Sequence, residues 1–390
     1  MTTYLLKPGE LTLKSGNRNE FESILKRNIV ATLRGTGAQL VVTEGRLYIR
    51  CNESAEDNVE NILRRLIGIS GWAKTKVAEK NMDAVLSACI EEARLLYGKG
   101  IKTFKIEARR TDKSFPVDSY EIKCTAGEAV RKEIPEMTVD VKNPQGVIVV
   151  EIREKAFIYA DANEGLRGLP CGSSARGLLL LSGGIDSPVA GFMMATRGMR
   201  LEAVYFHAWP YTSAEAKDKT ITLAGILGSY CMGVRLFIIG FTEVENRIKE
   251  RAPESWRTVL LRMAMMECAE KLARIRGNKC LVSGESLAQV ASQTIENISC
   301  TQSTASLPVL RPLIGMDKDQ IIRIAKKIGT YETSILPYED CCILFSPPHP
   351  ILRGNIIEAT ELYASLEAED LIDAALDECE SIKCGYPLKK

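Results

Sequence analysis

The pattern of apolar and polar positions changes near Gly177. From there on, short continuous apolar runs alternate with amphipathic stretches, as in buried parallel strands wrapped by helices. The pattern predicts strands at 177–181, 201–206, 235–241 and 279–283, and helices at 188–197, at 255–276 and after Asp317. Asp317 is followed three residues later by Gln320, the spacing of a helix capping box. We therefore predict a doubly wound parallel-sheet α/β domain over 177–390.

The first 170 residues contain shorter elements of both kinds. The pattern predicts helices at 21–34, 58–67 and 84–97, and strands at 47–51, at 103–108 and within 146–159. Short mixed pieces of this kind suit small α+β domains. The stretch before Gly177 is rich in glycine and serine, which is typical of a linker. The pattern therefore predicts one or two small α+β domains, a linker at 165–176, and the parallel-sheet domain at 177–390.

Composition limits the classes of protein that fit this pattern. The chain has 390 residues, of which 45% are hydrophobic and 26% charged, so we expect well-cored domains. A formal net charge of +1 argues against a wholly basic nucleic-acid coat protein, so any nucleic-acid binding would need local basic patches. The N-terminus resembles no secretory signal, and Asp186 interrupts the most apolar stretch. We expect a cytoplasmic protein with no membrane span.

Cysteine usage suggests reactive thiols rather than a disulfide framework. The twelve cysteines are scattered, and no CxxC pair or metal-finger spacing occurs among them, so no cysteine-ligated metal site is predicted. Most of them, such as Cys51, Cys89, Cys268 and Cys280, fall in apolar runs and are expected to be inert core residues.

The strongest chemical signal is the string Leu181-Ser-Gly-Gly-Ile-Asp-Ser187, between a predicted buried strand and a predicted helix. Without side chains at Gly183 and Gly184, backbone N–H groups can approach an anion closely, and the helix adds its positive end. The hydroxyls of Ser182 and Ser187 can donate to phosphate oxygens. No lysine follows the glycines, so this is not a Walker motif. A plain strand-to-helix turn is the alternative.

Two downstream features support a nucleotide site. Arg262 interrupts an apolar helical run, away from the polar face of that helix, and therefore needs a partner. Phosphate is one candidate, while a structural carboxylate or a snorkelling side chain are the others. Gly284 ends a predicted strand, where ligands of parallel sheets bind. The stretch 288–293 is predicted to be helical, with Gln289 and Gln293 on one face.

A basic segment in the N-terminal half is a candidate RNA contact. Between Lys99 and Lys113 there are six lysines or arginines and two acids. Arg109, Arg110 and Lys113 lie beside Phe115, a combination that suits phosphate contacts together with base or sugar stacking. A solvated charged face is the alternative reading of such a cluster.

The turn 182–187 resembles the PP-loop of the N-type ATP pyrophosphatases, which split ATP into AMP and pyrophosphate to adenylate a carbonyl oxygen. The chain as a whole is similar to the tRNA 4-thiouridine synthetases, also called tRNA sulfurtransferases. The similarity is carried by 9–18 (with Pro8 and Ser15 departing from the commonest pattern), 284–293, 311–319 and 337–342. Some members carry a further rhodanese domain with a second catalytic cysteine, and this chain resembles the form without it.

The resemblance implies an N-terminal ferredoxin-like domain at 1–56, a THUMP RNA-binding domain at 57–164 and a PP-loop catalytic domain at 177–390. It also implies the ATP contacts. They are Leu180, Leu181, Tyr205, Phe206, Arg262, Gly284 and Gln293, with Ser182, Gly183, Gly184, Asp186 and Ser187 at the pyrophosphate portion. Asp186 is expected to hold Mg²⁺ beside the leaving pyrophosphate.

The implied reaction adenylates the uridine at position eight of tRNA and replaces its oxygen by persulfide sulfur, giving 4-thiouridine with release of AMP and pyrophosphate. We expect Cys341 or Cys342 to bear the persulfide, with a slight preference for Cys341; a buried structural pair is the alternative. The implied partners are tRNA, a cysteine desulfurase as sulfur donor, and the sulfur-carrier protein of thiamine biosynthesis. A homodimer is expected. With no rhodanese cysteine, Cys379, Cys384 or an external reductant would have to release the sulfur.

Two other classes of function compete with this interpretation. A small-molecule ATP pyrophosphatase, such as an amidotransferase or ligase, would leave the RNA-binding half and the paired cysteines unexplained. A non-enzymatic RNA-binding module with a degenerate nucleotide fold is disfavoured by the intact Ser-Gly-Gly-Ile-Asp-Ser string.

Overall fold

The computed structural model describes residues 1–10, 16–43, 45–160, 162–338 and 347–385. The chain divides into two compact units, one formed by Met1–Glu22 with Ile29–Gly168 and the other by Ser23–Asn28 with Leu169–Lys390. Within the described ranges, no helix combines the length and the apolarity needed to cross a membrane.

The first unit contains a nine-stranded sheet in the order β2-β3-β1-β4-β8-β7-β5-β6, with β9 also pairing with β4. The strands are β1 (Thr2–Pro8), β2 (Gln39–Thr43), β3 (Arg46–Cys51), β4 (Ile69–Ala78), β5 (Thr103–Arg110), β6 (Thr138–Val139), β7 (Gly146–Ile152), β8 (Ala156–Tyr159) and β9 (Ala162–Glu164). The helices are α1 (Arg18–Thr32), α2 (Glu56–Arg65), α3 (Met82–Gly98) and α4 (Ser119–Glu133). Helices α3 and α4 bury apolar side chains against β5, β7 and β8.

The second unit contains a six-stranded sheet in the order β14-β13-β10-β11-β12-β15. The strands are β10 (Arg176–Leu180), β11 (Arg200–His207), β12 (Val234–Gly240), β13 (Cys280–Val282), β14 (Val309–Leu310) and β15 (Glu380–Cys384). The first five run parallel, and β15 pairs antiparallel with β12. The central strands are mostly apolar and largely buried, as is usual for parallel strands that helices cover on both faces.

Helices surround this second sheet. They are α5 (Asp186–Thr196), α6 (Ala214–Tyr230), α7 (Thr242–Arg251), α8 (Arg257–Arg276), α9 (Ile295–Gln302), α10 (Lys318–Ile328), α11 (Tyr331–Ser334), α12 (Ile356–Ser365) and α13 (Glu369–Asp377). Helix α8 is buried along most of its length and lies at the centre of the largest apolar cluster. This packing fixes the position of Arg262 on α8.

The predicted doubly wound parallel sheet and the mixed N-terminal part are confirmed. The strands predicted in both halves are present, with ends that differ by one or two residues. Asp317 caps α10, and Gln320 completes the capping box by binding back to the Asp317 backbone. The capping box matters for the site, because it fixes the start of α10 and therefore the position of the Lys318 backbone.

The helix predicted at 288–293 is wrong. Only Ala291–Gln293 form a short 3₁₀ turn, and Ala288 has a φ of 61°, which no α-helix allows. The backbone N–H of Ala288 donates to the carbonyl of Gln293 over 2.8 Å, so the segment closes on itself as a loop. Gln289 and Gln293 consequently do not share a helix face; their side chains have separate partners.

Candidate functional site

The turn between β10 and α5 is closed by its own serines. The backbone N–H of Ser182 donates to the hydroxyl oxygen of Ser187 over 2.9 Å, and the two hydroxyl oxygens lie 3.1 Å apart. The N–H of Gly184 donates to the Ser182 hydroxyl over 3.2 Å. Helix α5 begins at Asp186, so the turn delivers the positive end of that helix to the C-terminal edge of the sheet. The geometry suits an anion at this point.

Gly284 makes a close contact between two chain segments of the site. A Cβ at this position would lie 2.7 Å from the backbone nitrogen of Ser187 and 2.8 Å from its Cα. The end of β13 can therefore approach the start of α5 only because residue 284 has no side chain. This contact brings the Ser283–Ser286 segment to the edge of the turn.

These elements surround a pocket with about 790 Å³ of empty space, including its open mouth. The lining residues are Leu180, Leu181, Ser182, Asp186, Ser187, Tyr205, Phe206, Arg262, Met265, Met266, Ser283, Gly284, Glu285, Gln293 and Thr301. The structure thus brings ten of the twelve residues expected to contact ATP around one pocket. Gly183 and Gly184 lie in the turn without lining it. An apolar wall of leucine, phenylalanine and methionine opposes a polar end at the turn, as in many nucleotide pockets.

Both carboxylate oxygens of Asp186 have partners. Lys318 donates from Nζ to Oδ1 over 2.6 Å, and Gln289 donates from Nε2 to Oδ2 over 2.8 Å. Lys318 lies 132 residues from Asp186, and nothing local in the sequence predicted it as a site residue. The only available signal was the similarity of the stretch 311–319 to the family. The motif has no lysine of its own, and Lys318 supplies a cation beside the turn.

Two carboxylates of the pocket are candidates to hold a magnesium ion that enters with phosphate. Mg²⁺ in nucleotide sites keeps water and phosphate ligands and needs one or two carboxylates. Among the described residues that line the pocket, the carboxylates are Asp186 and Glu285. Both carboxylates have side-chain partners, but Glu285 is buried and held by two arginines, whereas Asp186 is 19% exposed at the turn and held by Lys318 and Gln289. Asp186 is therefore the residue that fits the ion.

Arg262 has a carboxylate partner, which was one of the alternatives left open by the sequence. Its Nη2 lies 2.5 Å from Oε1 of Glu285, and Arg311 Nε lies 2.6 Å from Oε2. Glu285 is 1% exposed. Burial alone would raise its pKa, but the two guanidinium groups outweigh burial and hold the pKa of Glu285 below its ordinary value. Arg262 still lines the pocket, and its Nε has no partner among the described residues.

Glu285→Ala is expected to destabilise the chain strongly. It would leave two mostly buried guanidinium groups without their anion, which typically costs about 3–5 kcal/mol of unfolding free energy. Because the pKa of Glu285 is lowered in the folded chain, its contribution is complete above the unfolded glutamate pKa of about 4.3 and declines as the pH falls below it. Urea unfolding at pH 7 and at acid pH measures both effects.

The matched control for that variant is Glu367→Ala, which breaks the exposed pair with Arg251. Its unfolding midpoint should stay close to that of the wild type. A Glu285→Ala chain as stable as this control would show that the arginines do not depend on the carboxylate.

The structure changes the interpretation of the basic segment. Arg109 and Lys113 are exposed at the end of β5, and both remain candidates for phosphate contacts. Arg110 instead donates from Nη1 to the carbonyl of Phe115 over 2.8 Å, so it binds the loop 111–115 to the end of β5. Phe115 is 2% exposed and belongs to the core, so the stacking role expected for it is wrong.

The paired cysteines Cys341 and Cys342 lie outside the described residues. The four cysteines expected in the core, Cys51, Cys89, Cys268 and Cys280, are all buried, which confirms that prediction. Burial raises the pKa of Cys89 to about 12, which suppresses the thiolate. Cys384 is also buried, at the end of β15 that pairs with Val234, and therefore at the edge of the sheet opposite the pocket.

Comparison with known proteins agrees with this arrangement. Three family descriptions match the chain: "ThiI ferredoxin-like domain" over 3–73, "THUMP domain" over 79–161 and "Thiamine biosynthesis protein (ThiI)" over 172–368. The fold expected from the resemblance, with ferredoxin-like, THUMP and PP-loop parts, is thereby confirmed.

Individual relatives match along nearly the whole chain. A "Probable tRNA sulfurtransferase" of Treponema pallidum (strain Nichols) is 47% identical over 377 residues, covering 96% of this chain and 94% of that protein. One from Caldanaerobacter subterraneus subsp. tengcongensis is 46% identical over 370 residues, covering 95% and 96%. A solved structure described as "a 4-thiouridine synthetase - RNA complex with bound ATP" matches with a TM-score of 0.91 at 34% identity, covering 98% of this chain and 100% of that one. The chain belongs to the tRNA sulfurtransferase family.

Proposed function

We propose that the protein is an ATP-dependent tRNA uracil 4-sulfurtransferase that makes 4-thiouridine at position eight of tRNA. The observation that carries this proposal is the pocket around the Ser-Gly-Gly-Ile-Asp-Ser turn, in a chain that matches a 4-thiouridine synthetase with RNA and ATP bound. The pocket provides an apolar wall for a base and a polar, helix-ended turn for phosphates.

In the proposed reaction, the uridine O4 attacks the α-phosphate of ATP and pyrophosphate leaves. The turn 182–187 and Lys318 hold the departing pyrophosphate, and Phe206, Met265 and Met266 pack against the adenine. Mg²⁺ bound through Asp186 would neutralise charge on the phosphates. Arg262, fixed by Glu285, lines the same pocket and adds a further cation for the phosphates. AMP then leaves from C4 as sulfur enters.

The sulfur is proposed to arrive as a persulfide on Cys341 or Cys342, loaded by a cysteine desulfurase. The terminal persulfide sulfur attacks the adenylated C4, and the S–S bond is then broken by a second thiol or an external reductant. Of the two other thiols considered, Cys384 lies buried at the far edge of the sheet, while Cys379 is only half-buried. Cys379 is therefore the better internal candidate of these two.

Three further parts of the proposal rest on family resemblance. They are sulfur donation to the thiamine sulfur-carrier protein, assembly as a homodimer and a cytoplasmic location. The match to a family described as a thiamine biosynthesis protein supports the first of them.

Pyrophosphate release from ATP, measured with and without unmodified tRNA, tests the proposed function. An RNA-thiolating enzyme should release pyrophosphate only when tRNA is present, and nucleoside mass analysis should find 4-thiouridine once a desulfurase and cysteine are added. Release without RNA would favour a small-molecule ATP pyrophosphatase. RNA binding without any release would favour a non-enzymatic module.

A prediction follows for the basic segment. The sequence predicts that replacing Arg109, Arg110 and Lys113 by alanine weakens tRNA binding. Because Arg110 also binds the carbonyl of Phe115, its loss would disturb the loop as well as the charge. The variant that changes charge alone is Arg109→Ala with Lys113→Ala. Each lost phosphate contact should lower the slope of log affinity against log salt by about 0.7–0.9. Binding titrations at several salt concentrations measure this slope, and ATP affinity should not change.

A control with the same loss of charge is Arg131→Ala with Lys132→Ala. These exposed residues lie in the last turn of α4, about 20 Å along the helix from the segment that leads into it. An equal change of slope in both double variants would show that only net charge matters.

A further inference from the structure

A second pocket lies in the catalytic unit, at the N-terminal edge of its parallel sheet. It holds about 660 Å³ of empty space, including its opening. Its lining residues are Arg176, Arg200, Leu201, Glu202, Met232, Gly233, Val234, Arg235, Arg276 and Lys383. Five cations thus face one carboxylate. In a chain whose formal net charge is only +1, this is a strong local concentration of positive charge.

The strand register explains why these side chains lie together. Arg176 pairs with Arg200, while Glu202 pairs with Arg235, which in turn pairs with Lys383. Arg200 and Glu202 are two residues apart on β11 and therefore point to the same face. Four of the five cations come from four neighbouring strands, so their row extends over about 14 Å at the usual strand spacing of about 4.8 Å.

The one carboxylate of the pocket, Glu202, already has hydrogen-bond partners. Glu202 accepts hydrogen bonds from Arg276 and from Asn278, each over 3.0 Å, and Arg276 also stacks on Phe237. Within the described ranges, Arg176, Arg200, Arg235 and Lys383 have no carboxylate partner. A row of unpaired cations in a concave site is unfavourable by itself and attracts an external anion.

We propose that this basic pocket binds the sugar–phosphate backbone of the RNA substrate. The inference rests on the proposed function and adds a second contact for the same RNA. A row of about 14 Å is longer than one phosphate group needs and suits a chain of them. Three of the four unpaired cations are arginines, whose planar guanidinium group binds phosphate through two parallel hydrogen bonds.

An acidic protein partner fits this surface less well. Protein interfaces have an apolar core inside a polar rim. The apolar residues of this pocket are mostly buried in the sheet, since Leu201 is 2% and Val234 0% exposed. They offer little apolar area to a partner, whereas contacts to a phosphate backbone need none.

The distance to the ATP pocket is compatible with one RNA molecule reaching both sites. Arg200 and Phe206 are six residues apart on β11, which corresponds to about 20 Å. At a rise of roughly 3 Å for each base pair, about six or seven base pairs of an RNA duplex cover that distance.

The test uses the full chain with Arg200→Ala, Arg235→Ala and Lys383→Ala combined, and an unmodified tRNA transcript as the probe. We expect weaker tRNA binding, a higher KM for tRNA in the thiolation assay, and a salt slope lowered by about two to three. The KM for ATP and the yield of folded protein should match the wild type, because these three side chains have no ion pair or hydrogen bond with the residues that the structure describes.

The control variant, Lys249→Ala with Arg323→Ala and Lys327→Ala, removes the same charge from exposed helix positions outside the pocket. If both triple variants lose tRNA affinity equally, or if neither does, the inference is wrong. It is also wrong if the pocket variant binds tRNA normally but is loaded with sulfur more slowly by the desulfurase, which would identify the pocket as a protein-docking surface. A wild-type chain that makes no 4-thiouridine would instead contradict the proposed function.

Discussion

Replacing Asp186 by alanine is expected to lower tRNA-dependent release of pyrophosphate by at least about 100-fold, the usual cost of removing one group that stabilises a transition state. Asp186 lies at the start of α5 and contacts Lys318 and Gln289, the two side chains that face the turn with it. Without the carboxylate, Lys318 loses its anchor and the proposed Mg²⁺ loses its protein ligand. The measurement is the single-turnover rate of pyrophosphate release at saturating ATP and tRNA.

The tRNA affinity of this variant should remain close to that of the wild type. The basic segment of the THUMP part is far from Asp186 in sequence and belongs to the other compact unit. Asp186→Asn tests the charge separately from the shape, because it keeps the size of the side chain and removes the charge. It should be as inactive as the alanine variant. Asp218→Asn, on the exposed face of α6, is the matched control and should be fully active. Normal thiolation by Asp186→Ala would contradict the assignment of the turn.

Changing Cys341 and Cys342 separately to serine, and then both together, is expected to abolish 4-thiouridine formation in at least one single variant and in the double variant. Serine cannot carry the transferable sulfur, although it preserves the size of the side chain. Pyrophosphate release should continue in all three variants, because adenylation precedes sulfur transfer. Thiolation with a desulfurase, cysteine and ATP is measured beside pyrophosphate release on the same preparations.

Cys124→Ser and Cys89→Ser are the controls for the sulfur step. Neither cysteine has a proposed role. Cys124 is exposed on α4 and Cys89 is buried in α3, so together they represent an exposed and a buried thiol. Both should thiolate normally. If the double variant of Cys341 and Cys342 still makes 4-thiouridine at the wild-type rate, the persulfide forms elsewhere, and Cys379→Ser becomes the next variant to measure.

The parallel sheet was predictable because its signal is local. Each central strand is a predominantly apolar run, and the helices between them carry their own start signals, as Asp317 and Gln320 do for α10. The turn after β10 was also predictable, because its function requires small residues and hydroxyls at fixed positions.

The parts that could not be predicted depend on contacts between distant segments. The stretch 288–293 contains good helix formers, but hydrogen bonds from Ala288 and from Ser286 to Gln293 close it as a loop. Lys318 looks like an ordinary first residue of a helix until the fold brings it to Asp186. Whether Arg262 would meet a phosphate or a carboxylate depended on Glu285, which lies beyond the end of another strand.

The antiparallel strand β15 has a consequence for the solubility of shortened forms of the protein. It covers β12, whose residues 236–239 read Leu-Phe-Ile-Ile. Without β15, the backbone groups along that side of β12 would be unpaired. The segment 236–239 contains no proline or charge, and an exposed apolar segment of that kind tends to join to a second chain. Residues Glu380–Cys384, although they lie far along the sequence from the strand they cover, therefore protect the catalytic sheet against edge-to-edge aggregation.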